Sequence, residues 1–304
     1  MAKVAVIGVG TLGSSISYEV AGRGIVEELV LIDIYRELAE GNAADIEQAL
    51  AFRNNMKVYA GAYEDAKGSD VVIVTAGKPR TPSMRSRMEL LRSNMKIIRD
   101  VALELRGIGG EPVIITLTNP VDVMNYLMWS YTHFDKRRIL GSAGQLDSSR
   151  FRAVLSKIFN VPVLDVEAYV IGEHGDSQVP VFSRVKIKGE KRTFAKAERE
   201  KIKEELKGAA LEVISKKGAT IFAPASNTAV VVESVLQDKK DLAVCSVVLD
   251  GEYDVSSVSI GVPTILGRLG VEKIAEWNLD DAERKLFYMG AQKLRDTISG
   301  ILGS

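Results

Sequence analysis

The sequence is poor in the features that mark secreted, membrane-spanning and nucleic-acid-binding proteins. Its 304 residues include one cysteine, and 40 basic residues balance 40 acidic ones. A lone cysteine cannot form an intramolecular disulfide and suits a reducing cytosol, and a chain without a basic surplus does not attract nucleic acid or anionic membranes. No apolar run reaches the roughly 18–20 residues of a membrane helix, and the N-terminal apolar stretch is too short for a signal peptide. We therefore expect a cytoplasmic protein with no membrane or nucleic-acid partner.

Histidines are also scarce, and the chain has only two. His133 lies in a stretch that is typical of a helix end and loop, and we assign it no role. His174 lies in the string Ile-Gly-Glu-His-Gly-Asp at 171–176, where the glycines indicate a backbone shaped to present a side chain. The unperturbed pKa of histidine, about 6.5, suits proton transfer near neutral pH. Cys245 has no histidine near it in sequence, and we expect no metal site.

The first half of the chain alternates apolar runs with segments of helical spacing. Uniformly apolar strands separated by helices predict a parallel sheet covered on both faces, which binds ligands at the carboxyl ends of its strands. The predicted strands are 4–7, 29–32, 71–75 and 113–117, with weaker candidates at 57–60 and 138–140. The predicted helices are 11–22, 36–51, 86–106 and 122–131.

The second half has a different pattern, typical of an α+β domain. We predict helices at 146–159, 195–217 and 226–236, and strands at 166–171 and 179–188 on either side of His174. Strands at 242–249 and 253–262 flank Asp250-Gly251-Glu252, which predicts a hairpin. Asn278 is the predicted cap of a last helix that runs to about residue 302. No linker rich in Pro, Gly or Ser separates the halves, so we expect tight packing with a boundary near 141–144.

A glycine-rich turn follows the first strand and opens a helix. Its residues are Gly8, Val9, Gly10, Thr11, Leu12 and Gly13, and Asp33 stands twenty residues beyond the last of them. Glycines let the backbone approach a pyrophosphate at the start of a helix, while a carboxylate accepts hydrogen bonds from ribose hydroxyls. Because Asp33 would repel a 2′-phosphate, we expect NAD as the cofactor. Arg36 is close enough in sequence to leave some use of NADP open.

Two strings in the middle of the chain complement one another chemically. Asp147 and Arg150 in Gly-Gln-Leu-Asp-Ser-Ser-Arg lie three residues apart, so a helix projects both from one face. Arg150 can hold a carboxylate with two parallel hydrogen bonds. Asp147 can orient His174 and favour its protonated form. A proton-transferring histidine, its carboxylate partner and an arginine are what a 2-hydroxy acid dehydrogenase needs.

With these residues in place, the sequence resembles the malate/lactate dehydrogenase family almost from end to end, and most closely the lactate-dehydrogenase-like malate dehydrogenases. The resemblance rests on the glycine turn, Asp33, Thr75-Ala76-Gly77, Thr118-Asn119-Pro120, the Asp147–Arg150 and His174 strings, and Lys217-Gly218-Ala219-Thr220. It implies a Rossmann-type doubly wound parallel sheet at 1–142 and an α+β substrate-binding domain at 143–304. It also implies a homo-oligomer, either dimer or tetramer.

The resemblance extends the predicted site to further residues. Thr75, Ala76, Gly77 and Asn94 would join the cofactor-binding set. Asn119 would orient the nicotinamide and lie close to the substrate carbonyl, and a cis peptide before Pro120 is expected. In the family, a loop after the fourth strand closes over the substrate and delivers an arginine that polarises the reacting carbonyl. Arg87 fits that role.

The residues that would select the substrate give conflicting indications. Arg80 resembles the residue that binds the distal carboxylate of oxaloacetate in malate enzymes, but it lies seven residues before Arg87 where the family usually has six. Arg85 could share the task. Thr220, on the opposite wall, is more typical of lactate enzymes. Because a pocket for pyruvate would leave one of these arginines buried and unpaired, we favour a small dicarboxylate, malate or oxaloacetate.

Three alternatives stay open at this stage. One is an L-lactate or broader 2-hydroxy acid dehydrogenase. The second, from a different class, is an NAD-binding sensor without turnover, against which the intact Asp147, Arg150 and His174 argue. The third is an NAD-dependent glycosidase, which would need a metal bound by cysteine and histidine.

Overall fold

The structure is a computed structural model that describes residues 2–78 and 87–302, with only the backbone given at 87–89. The described helices, in chain order, are α1 Thr11–Gly22, α2 Arg36–Leu50, α3 Arg87–Ile108, α4 Val121–Thr132, α5 Gly144–Phe159, α6 Lys196–Lys217, α7 Phe222–Leu236 and α8 Asp281–Leu302.

The first half forms a parallel sheet because its strands are apolar at nearly every position. The strands are β1 Lys3–Ile7, β2 Glu28–Ile32, β3 Lys57–Ala60, β4 Val71–Val74, β5 Val113–Thr116 and β6 Ile139–Gly141. Their order is β3-β2-β1-β4-β5-β6, the Rossmann arrangement, and all five pairings are parallel. Right-handed crossovers put α1 and α2 on one face and α3 and α4 on the other. The predicted doubly wound fold is confirmed.

The second half continues the same sheet with antiparallel strands. Its strands are β7 Val166–Glu167, β8 Val170–Gly172, β9 Gln178–Pro180, β10 Lys186–Ile187, β11 Glu190–Lys191, β12 Leu242–Asp250, β13 Ser256–Gly267 and β14 Gly270–Ile274. β12 joins β6 through Ser246 and Gly141, and β13 joins β8 through Gly261 and Gly172. A Cβ atom on Gly261 would lie 2.8 Å from the carbonyl oxygen of Gly172. Glycine therefore allows β8, which leads to His174, to approach β13.

Two of the predicted strands around His174 are wrong in detail. The segment 166–171 is divided between β7, in a small sheet with β10 and β11, and β8 in the large sheet. The segment 179–188 is interrupted by a 3₁₀ turn, Phe182–Arg184. Glu283 on α8 accepts hydrogen bonds from the backbone N–H and the hydroxyl of Ser183, at 2.9 and 2.7 Å. This contact with a distant helix stabilises the turn, and no pattern in the local sequence predicts it.

The predicted cap of the last helix is also wrong. α8 begins at Asp281, and Asp280 caps it in place of Asn278. The Asp280 carboxylate accepts from the N–H of Glu283 at 2.9 Å, and the Glu283 carboxylate accepts from the N–H of Asp280 at 3.0 Å. Such a reciprocal pair satisfies two backbone donors at once. The predicted hairpin is present, although its second strand starts later, at Ser256.

One large hydrophobic core spans both halves of the chain and includes Cys245, which is fully buried. Burial raises the pKa of the Cys245 thiol to about 12. A smaller cluster around Phe151, Phe182 and Phe194 lies beneath α5 and α6. In the part of the chain that the structure describes, no single helix could cross a membrane; α6 and α7 reach the required length and hydropathy only as a pair, with a bend of 119° between them.

Candidate active site

The glycine turn lies at the carboxyl end of β1, where it touches the loop after β4. Gly8 has φ +88°, and a Cβ atom there would lie 2.5 Å from the backbone N of Ala76. A Cβ on Gly13 would lie 1.9 Å from the carbonyl oxygen of Gly8. Side chains at these two positions would push the turn and α1 away from the sheet. Gly10 precedes α1 and caps it without a side-chain hydrogen bond, so no capping side chain occupies the first N–H groups of the helix.

Asp33 lies at the end of β2, beside the glycine turn. Its Oδ2 accepts from the N–H of Val9 at 2.8 Å, and its Oδ1 accepts from the N–H of Tyr35 at 3.0 Å. Each carboxylate oxygen keeps a further lone pair for a ligand hydroxyl. The contact with Val9 fixes the carboxylate relative to the glycine turn, and its role in binding a ribose stays a prediction.

The segment after β4 lies beside the glycine turn, and together they form a crevice at the carboxyl ends of the strands. The hydroxyl of Thr75 donates to the carbonyl oxygen of Gly8, and the hydroxyl of Thr118 donates to that of Ala76 at 2.7 Å. A Cβ atom on Gly77 would lie 2.7 Å from the methyl of Thr118. Thr75, Ala76 and Gly77 therefore join the ends of β1, β4 and β5, and their contact with a cofactor stays a prediction.

Asn94 on α3 connects the loop after β4 to Asn119. Its side chain is buried, its Oδ1 accepts from the N–H of Lys78 at 2.8 Å, and its Nδ2 donates to the carbonyl oxygen of Asn119 at 2.8 Å. In these contacts Asn94 braces the backbone of the crevice, and direct contact with a cofactor stays a prediction. Asn119 itself is exposed, and its peptide bond to Pro120 is cis, as expected.

The crevice fits a dinucleotide. Anions favour the positive N-terminal end of a helix, and the glycine turn opens such an end at Thr11 and Leu12. The Asp33 carboxylate lies next to this turn, and Asn119 is exposed at the end of β5. The crevice also lies between β1 and β4, where the strand order of the sheet reverses and open α/β sheets bind ligands.

The second set of residues meets where α5 passes the turn between β8 and β9. His174 Nδ1 lies 2.6 Å from Asp147 Oδ2, and Arg150 Nη1 donates to Asp147 Oδ1 at 3.0 Å. The carboxylate thus bridges the imidazole and the guanidinium. Its side chain is 6% exposed, against 24% for His174 and 18% for Arg150. The fold therefore brings the three predicted residues together.

This geometry assigns the two ring nitrogens of His174. Nδ1 is held by a carboxylate, which can only accept and therefore requires a proton on Nδ1. Nε2 is then the ring nitrogen that can exchange a proton with a ligand. Burial lowers the pKa of His174, but the charge and hydrogen bond of Asp147 outweigh that effect, and the pKa is raised above 6.5.

The predicted loop arginines lie mostly outside the described residues. Arg80 and Arg85 fall in the segment 79–86, and Arg87 is described only as the first residue of α3. Their roles stay predictions. Thr220 lies in the short connection between α6 and α7. Asn227 on α7 donates to the hydroxyl of Ser149 on α5 at 3.2 Å, which brings this region next to the helix of Arg150.

Sequence reasoning missed one residue of this site, Asp122. Its Oδ2 accepts from the backbone N–H of His174 at 2.8 Å, although 52 residues separate the two. The only sequence feature that could have indicated its role is its position just after Asn119-Pro120. An acidic residue there is also common simply because it is favourable in the first turn of a helix. Over the described residues no group of three or more His, Cys, Asp or Glu side chains could hold a metal ion.

A dinucleotide crevice, together with a partly exposed histidine held by a buried aspartate, is typical of an oxidoreductase of the hydride-transferring class. Residues 2–141 match the NAD-binding domain of lactate/malate dehydrogenases, and residues 144–302 match the alpha/beta C-terminal domain of the same enzymes. The chain belongs to the lactate/malate dehydrogenase family.

Known relatives cover nearly the whole chain. It is 44% identical to a malate dehydrogenase of Natronomonas pharaonis, over 97% of this chain and 98% of the relative. It is 36% identical to an L-lactate dehydrogenase of Latilactobacillus sakei, over 98% of this chain and 94% of the relative. The crystal structure of Cryptosporidium parvum malate dehydrogenase superposes with a TM-score of 0.94 at 30% identity, covering 100% of this chain and 99% of that one.

Proposed function

We propose that the protein is an NAD-dependent malate dehydrogenase, which interconverts (S)-malate and oxaloacetate. The observation that carries the reaction type is the contact of Asp147 with both His174 and Arg150. One carboxylate thus holds a proton-transferring group and a carboxylate-binding group, the two that a 2-hydroxy acid needs for its hydroxyl and its C1 carboxylate.

Each residue of the cluster has a distinct task in this reaction. NAD, when bound, supplies the hydride acceptor for oxidation, and its reduced form supplies the donor for the reverse reaction. Nε2 of His174 takes the hydroxyl proton of malate or returns it to oxaloacetate. Asp147 holds Nδ1 and stabilises the imidazolium that forms. Only Nη1 of Arg150 is engaged by the described residues, so its other N–H groups can hold the substrate carboxylate.

The choice of malate over lactate rests on charge and on similarity. The segment 79–87 carries three arginines, and a dicarboxylate supplies the second negative charge that a closed loop needs to neutralise them. Identity is higher to the Natronomonas malate enzyme, at 44%, than to the Latilactobacillus lactate enzyme, at 36%. Thr220 is the residue that favours the alternative, an L-lactate or broader 2-hydroxy acid dehydrogenase.

The test compares oxaloacetate with pyruvate, using NADH oxidation without added metal. We expect a higher kcat/KM with oxaloacetate, and Arg80→Gln should weaken oxaloacetate reduction selectively because it removes a cation from the distal carboxylate. Higher kcat/KM with pyruvate would overturn the choice of malate, and no turnover with either substrate would favour a sensor. Unchanged selectivity in the Arg80 variant would shift the distal role to Arg85.

Asp33 is the basis for proposing NAD rather than NADP. Replacing it with asparagine removes the charge that repels a 2′-phosphate while keeping one oxygen for the N–H of Val9. We expect the ratio of kcat/KM for NADH to that for NADPH to fall at least about tenfold, because hydrogen bonds to charged groups contribute about 1.5–3 kcal/mol. Glu47→Gln, an exposed carboxyl change on α2, is the control and should leave the ratio unchanged. A wild-type preference for NADPH would contradict this role of Asp33.

We also propose a cytoplasmic homo-oligomer, dimer or tetramer. Support for self-association comes from a depression of about 520 Å³ formed by α1, α2 and α7. Its lining mixes polar and apolar side chains, and two large aromatic ones, Tyr18 and Phe222, are exposed to 41% and 75% in the single chain. The single buried cysteine supports a reducing compartment.

A further inference from the structure

Two successive peptide groups of the glycine turn are held in different ways. In the first, between Gly8 and Val9, the carbonyl oxygen of Gly8 accepts from the hydroxyl of Thr75, and the N–H of Val9 donates to Asp33 Oδ2 at 2.8 Å. Both polar groups of this peptide are therefore engaged within the chain, and its orientation is fixed from two sides.

The next peptide, between Val9 and Gly10, is held by a side chain from α2. Asn42 Nδ2 donates to the carbonyl oxygen of Val9 at 3.1 Å and to that of Leu38, one helical turn earlier, at 2.9 Å. Because both partners can only accept, the nitrogen of the amide must face them, and the orientation of the side chain is fixed. The N–H of Gly10 finds no acceptor among the residues that the structure describes.

The N–H of Gly10 points away from α2. The C=O and N–H of a planar trans peptide point in opposite directions, so a carbonyl directed at Asn42 directs the N–H of Gly10 to the other side. No side chain caps the N–H groups that open α1 immediately after it. A backbone donor that is free of partners in the chain, next to an uncapped helix start, is suited to binding an anion.

Glycine at position 10 makes this orientation easy to lose. Gly10 has φ −63° and ψ −169°, and a Cβ atom there would meet nothing within 4 Å, so neither the backbone angles nor the space within the chain require glycine. Glycine adopts positive φ about as readily as negative φ, so the Val9–Gly10 peptide can turn over at little cost. The carbonyl oxygen of Val9 would then face an approaching anion and repel it. A turn that is open enough for a diphosphate therefore needs this carbonyl to be held.

We propose that Asn42 is a positioning residue for the cofactor, an inference that rests on the proposed use of NAD. It holds the Val9–Gly10 peptide in the orientation that leaves the N–H of Gly10 free for the diphosphate of the dinucleotide. Asp33 after β2 and Asn42 on α2 thus bind the N–H and the carbonyl oxygen of the same residue, Val9. Asn42 therefore acts on the affinity for the cofactor and not on proton transfer at His174.

The test is Asn42→Ala in the full chain, with ADP-ribose as the probe because it carries the diphosphate but no nicotinamide. Alanine has the highest helix propensity, so α2 is retained. We expect the Kd of ADP-ribose, measured by calorimetry, to rise about two- to tenfold, the effect of losing one hydrogen bond. The Kd of NADH, followed by its fluorescence, should rise equally. The kcat at saturating NADH should be unchanged, as should the binding of adenosine, which has no phosphate.

Asn54→Ala is the matched control. Asn54 follows α2, and its Nδ2 donates to the carbonyl oxygen of Ala21 at 3.3 Å, at the opposite end of α1 from the glycine turn. Removing this amide should leave the Kd of ADP-ribose unchanged. Asn42→Ser is a second variant, because a serine hydroxyl in a helix can bond the carbonyl four residues earlier but is too short to reach another segment. It keeps a contact with Leu38 and loses Val9, so the Kd of ADP-ribose should rise as in Asn42→Ala.

Three outcomes would overturn the proposal. An unchanged Kd of ADP-ribose in Asn42→Ala would leave Asn42 without this role, an equal loss for adenosine would show a general disturbance of the crevice, and a lower kcat at unchanged Kd would place its effect in the chemical step. If Asn42→Ala does not fold, the Kd of ADP-ribose in Asn42→Ser decides in the same way. Binding of ADP-ribose needs no turnover, so a wild-type protein that binds it but reduces neither substrate contradicts the proposed function and not this inference.

Discussion

Replacing His174 with asparagine is expected to lower kcat for oxaloacetate reduction by about 10²- to 10⁴-fold, the contribution of a positioned general acid or base. Asparagine can keep a donor directed at Asp147, in place of the Nδ1 contact of 2.6 Å. It has no counterpart of Nε2 that exchanges a proton near neutral pH. The variant should therefore bind NADH with little change and fail at the chemical step. Steady-state kinetics combined with NADH fluorescence titration measure both quantities.

The other histidine supplies a close control for this substitution. His133 ends α4 in the left-handed region, with φ +57°, a conformation that asparagine adopts readily. His133→Asn should therefore fold normally and retain wild-type kcat. An equal loss of activity in both variants would show that the effect arises from altered folding and would remove His174 from the reaction.

The pH dependence of the wild-type enzyme follows from the same residue. Reduction of oxaloacetate needs the imidazolium, and the pKa of His174 is raised above 6.5 by Asp147. kcat/KM for reduction should therefore be retained past pH 6.5 and fall as the pH rises through the raised pKa of His174. Malate oxidation needs the neutral imidazole and should gain activity over the same range. The His174→Asn variant should lose both transitions.

Replacing Arg150 with lysine is expected to lower kcat/KM by about 10²- to 10³-fold, because truncating one partner of a buried charge pair costs about 2–5 kcal/mol. Arg150 can hold Asp147 through Nη1 and still present other N–H groups to a substrate. A lysine ammonium is a compact point charge and cannot do both in this geometry. The remaining carboxylate of Asp147 would also lose part of its compensation.

The control for this change is Arg152→Lys, two residues along the same helix. Arg152 donates to the carbonyl oxygen of Ala168 at 3.2 Å and stacks on Tyr169, away from Asp147. It should retain most of the wild-type kcat/KM. Because every 2-hydroxy acid carries the C1 carboxylate, Arg150→Lys should weaken oxaloacetate and pyruvate alike. A selective loss of oxaloacetate would instead assign the distal carboxylate to Arg150.

The sequence could predict those parts of the site in which neighbours along the chain are neighbours in space. Gly8 to Gly13 form one turn, and Asp147 and Arg150 share one helix face, so their spacing already contains their geometry. His174 could be predicted to join them because its chemistry complements theirs and because the three strings together resemble one family. The parallel strands were predictable for a similar reason, since burial on both faces makes them apolar throughout.

The parts that escaped prediction depend on contacts between distant segments. Ser183 is held in a 3₁₀ turn by Glu283, and α8 is capped by Asp280 because that residue and Glu283 satisfy each other. Asp122 reads as a helix-start residue until the sheet brings it under His174. In each case a polar side chain finds a partner that no local pattern specifies.

The junction of β8 with β13 also bears on how the enzyme is made in the cell. The crevice for the cofactor is built from the first half of the chain, which leaves the ribosome early. The His174 turn is held by β13 at Gly261 and, through Glu173, by Lys293 on the last helix. Domains form in the order of their synthesis, so a nascent chain can complete its nucleotide crevice long before it has any acid–base chemistry. The C-terminal segments that hold the His174 turn are synthesised only when translation is almost complete.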